Sequence, residues 1–160
     1  MSEIKLLNMI RVETPIYLLW AKEACWKCKL EQEVVSLASF YCLKEGENEF
    51  SEFGKDPIIL QNITEMPEEI LAMICARHPM YEKRKSATAG MRYYMNTCTC
   101  GAHSGDFFLH SMPDGVFFPE TEAEANQIEV EKLPIKGIYD FECGFSQGSG
   151  SYILEYGKKR

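Results

Sequence analysis

Two closely spaced cysteine pairs constrain this chain more than any other feature of its sequence. Cys25 and Cys28 are separated by two residues, and Cys98 and Cys100 by one. Strand-like sequence flanks both pairs, so each pair is expected at the turn of a hairpin. Four thiolates complete the tetrahedral shell in which proteins most often hold Zn²⁺. The sequence therefore predicts one Zn²⁺ site, with Cys25, Cys28, Cys98 and Cys100 as its ligands.

The cysteine count argues against a disulfide framework. The chain has 160 residues and seven cysteines, an odd number in a chain longer than most disulfide-stapled secreted domains. Cys42, Cys75 and Cys143 stand alone in apolar surroundings, where a free cysteine acts as a small core residue.

Two alternatives to the four-thiolate site stay open. His103, three residues after Cys100, could replace one cysteine, because neutral imidazole is also a common zinc ligand. The Cys25–Cys28 motif could instead serve thiol–disulfide exchange. No strand–helix–strand pattern surrounds that motif, however, and the redox interpretation leaves the second pair unexplained.

Charge and hydropathy narrow the classes of partner. The formal net charge is −7, which disfavours broad binding to nucleic acid or to anionic membranes. Lysines near the first pair leave a small nucleic-acid surface as an alternative. The sequence contains no apolar run of about 20 residues and no signal peptide, so we expect a cytoplasmic protein whose partner is another protein. The sequence does not specify an oligomeric state.

Hydrophobic periodicity predicts an α+β fold: a mainly antiparallel sheet, one packing helix and a zinc-ribbon-like pair of cysteine hairpins. The helix is expected over 67–77, after Pro67 and two first-turn glutamates. A capping box at Thr121 predicts a short second helix. Strands are expected over 16–20, 34–42, 57–63, 91–95, 107–109, 116–118, 128–130, 139–143 and 152–156. Residues 1–160 are expected to form one zinc-stabilised domain, with a loop and helix region at about 44–87 inserted between the hairpins.

An enzyme is the less favoured class. A closed site of four cysteines leaves no coordination position for substrate, and the sequence lacks a nucleophile elbow, a phosphate-binding loop and an HExxH helix. Asp106 and His110 are four residues apart, so they could share one face and support a metal-dependent hydrolase or nuclease. The aromatic residues between them favour a strand. The enzyme hypothesis requires the pair to lie at an open pocket.

Two stretches resemble an uncharacterised bacterial zinc-ribbon-like family, a domain of unknown function. The first leads from Leu18 into the Cys25–Cys28 pair, and the second runs from Asn96 to His110 and on to Pro119. The resemblance covers about 16–42 and 88–119, and it implies four zinc-binding cysteines and no assigned reaction. The family's second pair usually has two intervening residues, whereas this chain has one.

These observations together predict a metal-stabilised, non-catalytic binding protein. We expect the zinc to fix the two hairpins, so that surface loops and the acidic segment 120–131 can contact a protein partner.

Overall fold

The fold was obtained as a computed structural model, which describes residues 8–44, 57–86, 90–106, 109–110, 115–146 and 149–160. The elements in these ranges are β1 (Asn8–Ala24), β2 (Glu31–Lys44), β3 (Ile58–Glu65), α1 (Glu68–Arg77), β4 (Tyr81–Ser86), β5 (Met91–Thr97), β6 (His103–Ser104), α2 (Glu122–Ala125), β7 (Glu129–Lys132), β8 (Ile138–Ser146), α3 (Ser149–Tyr156) and β9 (Lys158–Lys159).

Four strands close into a barrel. Their order is β2–β3–β8–β1, and β1 also pairs with β2 along nearly its whole length, which closes the ring. All four pairings are antiparallel. Closure gives both edges of each of these strands a hydrogen-bonding partner strand.

β1 changes one partner halfway along. Asn8–Glu13 pairs with β8, whereas Tyr17–Trp20 pairs with β7, and the register with β2 shifts between Glu13 and Ile16. Pro15 lies within this irregularity, where a residue without a backbone N–H is tolerated. The second half of β1 thereby carries β7, and β9 extends β7 in parallel.

The central strands are buried on both faces. Leu18 and Leu19 are adjacent in β1, yet both are fully buried, and they belong to different apolar clusters. α1 covers the first cluster through Ile70 and Ile74, and α3 contributes Ile153 to the second. Burial on both sides explains why residues 16–20 of β1 form a continuous apolar run rather than an alternating one.

A second sheet, of order β4–β5–β6, carries the second cysteine pair. It is joined to the barrel by the side chain of Asn96, in β5. The Asn96 amide accepts from the Val35 N–H at 2.8 Å and donates to the Val35 carbonyl at 3.0 Å. The amide thus continues the ladder of β2 as a neighbouring strand would, two residues before Cys98.

The predicted α+β fold, with one helix packed on a sheet, is wrong. The chain is mostly β, with a closed four-stranded barrel, extra strands and three short helices among the described residues. β3 lies within the region at about 44–87 that was expected to be an insertion between the hairpins. It is instead a strand of the barrel, because it pairs with both β2 and β8. The prediction that residues 1–160 form one domain stays a prediction.

Three of the predicted strands also differ from the structure. Residues 152–156 belong to α3, where Tyr152 and Tyr156 place their rings 6.1 Å apart at helical spacing. Leu109, like Asp106 and His110, is helical, whereas residues 107 and 108 of the same predicted strand lie outside the described residues. Residues 116 and 117 form a turn. Of the loop and helix region predicted at about 44–87, residues 45–56 lie outside the described residues, and Lys44 belongs to β2. Within the described ranges, each helix is too short to cross a membrane.

The Asn96 contact makes a prediction for stability. Asn96→Leu leaves the buried Val35 N–H and carbonyl without partners, and we expect it to lower the free energy of unfolding by about 2–4 kcal/mol. Denaturant unfolding measures this loss. The matched control is Asn126→Leu, at an exposed asparagine with one side-chain bond, to the Tyr156 carbonyl. Equal effects of the two substitutions would contradict the bridging role of Asn96.

Candidate metal centre

The first cysteine pair lies in the tight turn between β1 and β2. The turn is closed by a hydrogen bond from the Cys25 N–H to the Leu30 carbonyl (2.8 Å) and by one from the Lys29 N–H to the Cys25 carbonyl (2.9 Å). Lys29 adopts a positive φ of 69°. This backbone aims two N–H groups at the Cys25 sulfur, from Lys27 at 3.4 Å and Cys28 at 3.5 Å.

The second pair lies in the turn between β5 and β6. The Gly101 N–H donates to the Cys98 carbonyl at 2.8 Å, and the Cys98 N–H donates to the Ala102 carbonyl at 2.7 Å. Gly101 has a φ of +97°, which glycine adopts without a steric penalty. A glycine directly after Cys100 therefore permits the tight turn that the one-residue spacing requires.

The two turns meet, and all four sulfur atoms lie within 4.8 Å of one another. Two close sulfur–sulfur separations cross between the hairpins, at 3.7 Å for Cys25–Cys100 and 3.6 Å for Cys28–Cys98. A tetrahedron with metal–sulfur bonds of about 2.3 Å has edges of about 3.8 Å. A disulfide requires about 2.05 Å. The sulfur atoms are therefore spaced as metal ligands and not as bonded pairs.

Backbone dipoles and neighbouring thiols shift the two pKa values of the first pair in opposite directions. The N–H of Cys28, aided by that of Lys27, outweighs burial and lowers the pKa of Cys25 to about 6. The Leu30 backbone also lowers the pKa of Cys28, but burial and the thiols of Cys98, Cys25 and Cys100 raise it to about 11. Without a metal, the Cys28 thiol therefore retains its proton at neutral pH. A divalent cation bound between the sulfur atoms would displace that proton.

The cysteine end of the molecule is a separate small cluster. Cys25, Cys98 and Ala102 are its buried members, with Cys28 packed against them. One hydrogen bond also ties the hairpins directly: the Trp26 indole N–H donates to the His103 carbonyl at 3.0 Å. With so few apolar atoms, this end has little hydrophobic burial to hold it together.

The structure brings together the four cysteines that the sequence singled out. His103 is outside this group, which is the metal-capable cluster found in the described ranges. Cys143 is buried in the core, and Cys75 is half-buried, with its thiol directed at the Tyr81 carbonyl. The side chain of Cys42 lies outside the described residues.

Asp106 and His110 are packed in the interior and not at an open pocket. They are 8% and 3% exposed, with His110 Nε2 3.9 Å from Asp106 Oδ1. The Asn62 N–H donates to the carboxyl at 2.7 Å, and the His110 ring lies against Phe117. A cavity of about 550 Å³ lies between β1, β2 and α2, and neither residue lines it. Within the described part of the chain, the pair is therefore buried and does not line the cavity, whereas the hydrolase or nuclease hypothesis requires it at an open pocket.

Two site residues were missed in the sequence analysis. Asn96 fixes the second turn on β2, and Trp26 bridges the turns. Asparagine is depleted in strands, so an asparagine two residues before Cys98 could have indicated a structural role for Asn96. No sequence signal indicates that Trp26 reaches the His103 carbonyl.

Comparison of the chain with protein-family models, curated proteins and solved structures found no match. The resemblance to a zinc-ribbon-like family stays a prediction.

Burial of Asp106 makes a prediction for the pH dependence of stability. Desolvation raises the pKa of Asp106 from 3.8 to about 7 and lowers the pKa of His110 to about 3. A raised carboxyl pKa means that the folded state binds the proton more tightly, so stability from this group is lost as the pH rises from about 4 through 7. His110 stays neutral over this range.

Asp106→Asn removes this loss, because an amide does not ionise. We expect the free energy of unfolding of Asp106→Asn, relative to the wild type, to increase steadily between pH 4.5 and pH 7.5. Denaturant titrations at several pH values measure the difference, in which effects common to both proteins cancel. A difference that does not change with pH would show that the buried carboxyl is not protonated in the folded state.

Proposed function

We propose that this chain is a metal-stabilised, non-catalytic binding protein in which Cys25, Cys28, Cys98 and Cys100 hold one structural Zn²⁺ ion. The observation that carries the proposal is the convergence of four sulfur atoms from two separate hairpins within 4.8 Å. Packing alone gives no reason to gather four thiols at an end that is poor in apolar contacts.

The donor set supports zinc as the metal. Four thiolates in a tetrahedral arrangement favour Zn²⁺ or iron, and disfavour magnesium and calcium, which prefer oxygen ligands. Four thiolates and one Zn²⁺ carry a net charge of −2. The N–H groups aimed at Cys25 and the exposed Lys27 and Lys29 of the same turn offset this charge.

A structural role follows from the coordination. With four protein ligands, the ion has no open position at which to bind water or substrate, so it acts as a cross-link. The buried Asp106–His110 pair does not supply a second open site. The zinc instead connects the barrel hairpin β1–β2 to the small sheet β4–β5–β6.

Loss of one ligand tests this proposal. Cys98→Ser is expected to release the metal and to lower the free energy of unfolding by about 3 kcal/mol or more, because the cross-link is lost. Elemental mass spectrometry and thermal unfolding measure the two effects. The control is Cys75→Ser, a half-buried cysteine outside the cluster, which should keep one zinc per chain. Unchanged zinc content and stability in Cys98→Ser would refute the proposal.

The binding surface is proposed at the first cysteine turn. Trp26 and Leu30 are each 63% exposed, although both are large and apolar. The bond from the Trp26 indole to the second hairpin holds its ring outward instead of letting it fold onto the surface. A pre-positioned aromatic ring is a common anchor for a protein partner. The acidic segment 120–131 stays a second predicted contact.

The proposed anchor is tested by comparing two aromatic substitutions. Trp26→Ala should weaken binding of a partner by about tenfold or more, as loss of an interface anchor does. Tyr152→Ala, at an aromatic residue of α3 that is 39% exposed, should leave binding unchanged. The wild-type and variant proteins are first shown to have equal metal content. Each is then immobilised, and the partner proteins that each one retains are compared. A partner retained equally by all three would rule out Trp26 as the anchor.

A further inference from the structure

The four cysteines of the candidate metal centre are not equally exposed. Cys25 and Cys98 are buried, at 1% and 3% exposure, and Cys28 is half-buried. Cys100 is exposed. The next residue, Gly101, has no side chain that could cover it. A reagent in solution therefore reaches Cys100 before it reaches the other three.

The sulfur of Cys25, on the other hairpin, lies 3.7 Å from that of Cys100. The second close pair, Cys28 and Cys98, also joins the two hairpins, at 3.6 Å. Formation of a disulfide between Cys25 and Cys100 requires their sulfur atoms to approach by about 1.7 Å, to the usual bond length of about 2.05 Å.

From this geometry we propose that Cys100 is an oxidation site for hydrogen peroxide, and that its oxidation ends in a Cys25–Cys100 disulfide with release of the metal. The inference rests on the proposed metal site. It differs from the Cys25–Cys28 exchange motif considered from the sequence, because the bond forms between hairpins and not within one.

The reaction has two balanced steps. The Cys100 thiolate attacks one oxygen of hydrogen peroxide; the S–O bond forms, the O–O bond breaks, and hydroxide leaves and takes a proton to become water. The Cys25 thiolate then attacks the Cys100 sulfur; the S–S bond forms, the S–O bond breaks, and a second hydroxide leaves as water. Two thiolates have lost two electrons in total, peroxide has gained them, and the metal has lost two ligands.

The product keeps the hairpins joined. A Cys25–Cys100 bond links residues 75 apart in the chain, which are the same two turns that the metal links. Oxidation therefore exchanges a metal cross-link for a covalent one. The oxidised, metal-free protein should unfold at a higher temperature than the reduced, metal-free protein.

The experiment uses the full-length, zinc-loaded protein and hydrogen peroxide in equimolar amounts. A colorimetric zinc indicator follows metal release, a sulfenic-acid probe labels the first oxidised cysteine, and alkylation followed by trypsin digestion maps the disulfide. Trypsin places Cys25 on peptide 23–27, Cys28 on peptide 28–29, and both Cys98 and Cys100 on peptide 93–132. Fragmentation at Thr99 separates the last two. Cys75→Ser is the matched control and should behave as the wild type.

We expect zinc release together with a link between peptides 23–27 and 93–132 at Cys100, in about tenfold excess over a link between 23–27 and 28–29. The sulfenic-acid label should be on Cys100. A predominant Cys25–Cys28 link, a first label on another cysteine, or zinc retained after oxidation would each overturn the inference while leaving the metal site intact. If the untreated protein holds no zinc, the proposed function itself fails.

Discussion

The contact between two cysteine turns is the interaction on which the far end of this molecule depends. One turn connects the long strands of the barrel, and the other belongs to a three-stranded sheet. The barrel has two apolar clusters to stabilise it, whereas the cysteine end has three buried residues. The metal that we propose for the four cysteines would supply there the cohesion that side-chain burial supplies elsewhere.

Hydrogen bonds prepare this contact. The Asn96 amide attaches β5 to the ladder of β2, and it brings Cys98 toward the first turn. The Trp26 indole closes the other side through the His103 carbonyl. The ligands are therefore held near their binding positions by bonds that do not involve sulfur, which lowers the entropic cost of assembling the site. The same hydrogen bond leaves the Trp26 ring exposed, so Trp26 belongs to the proposed binding surface and also supports the candidate metal site.

The candidate site was far more predictable from sequence than the fold. Thiols at fixed short spacings indicate a candidate metal centre locally, because each pair is positioned by its own turn. Barrel closure depends instead on pairing between β3 and β8, which are distant in the chain. Neither strand has a local sequence feature that identifies the other as its partner. α3 was predicted as a strand over 152–156, because no local pattern shows that Gly150 packs against another element. A side chain on Gly150 would come within 2.9 Å of the Pro57 carbonyl oxygen. That glycine serves close packing of a helix on the start of β3.

X-ray absorption spectroscopy at the zinc edge, on protein purified without added metal, tests the central claim most directly. The account predicts one zinc per chain, surrounded by four sulfur atoms at about 2.3 Å and by no nitrogen or oxygen ligand. A shell that contains nitrogen would indicate that a histidine has replaced a cysteine. Protein that holds no metal, with its thiols reduced, would contradict the claim that the two hairpins are joined by an ion.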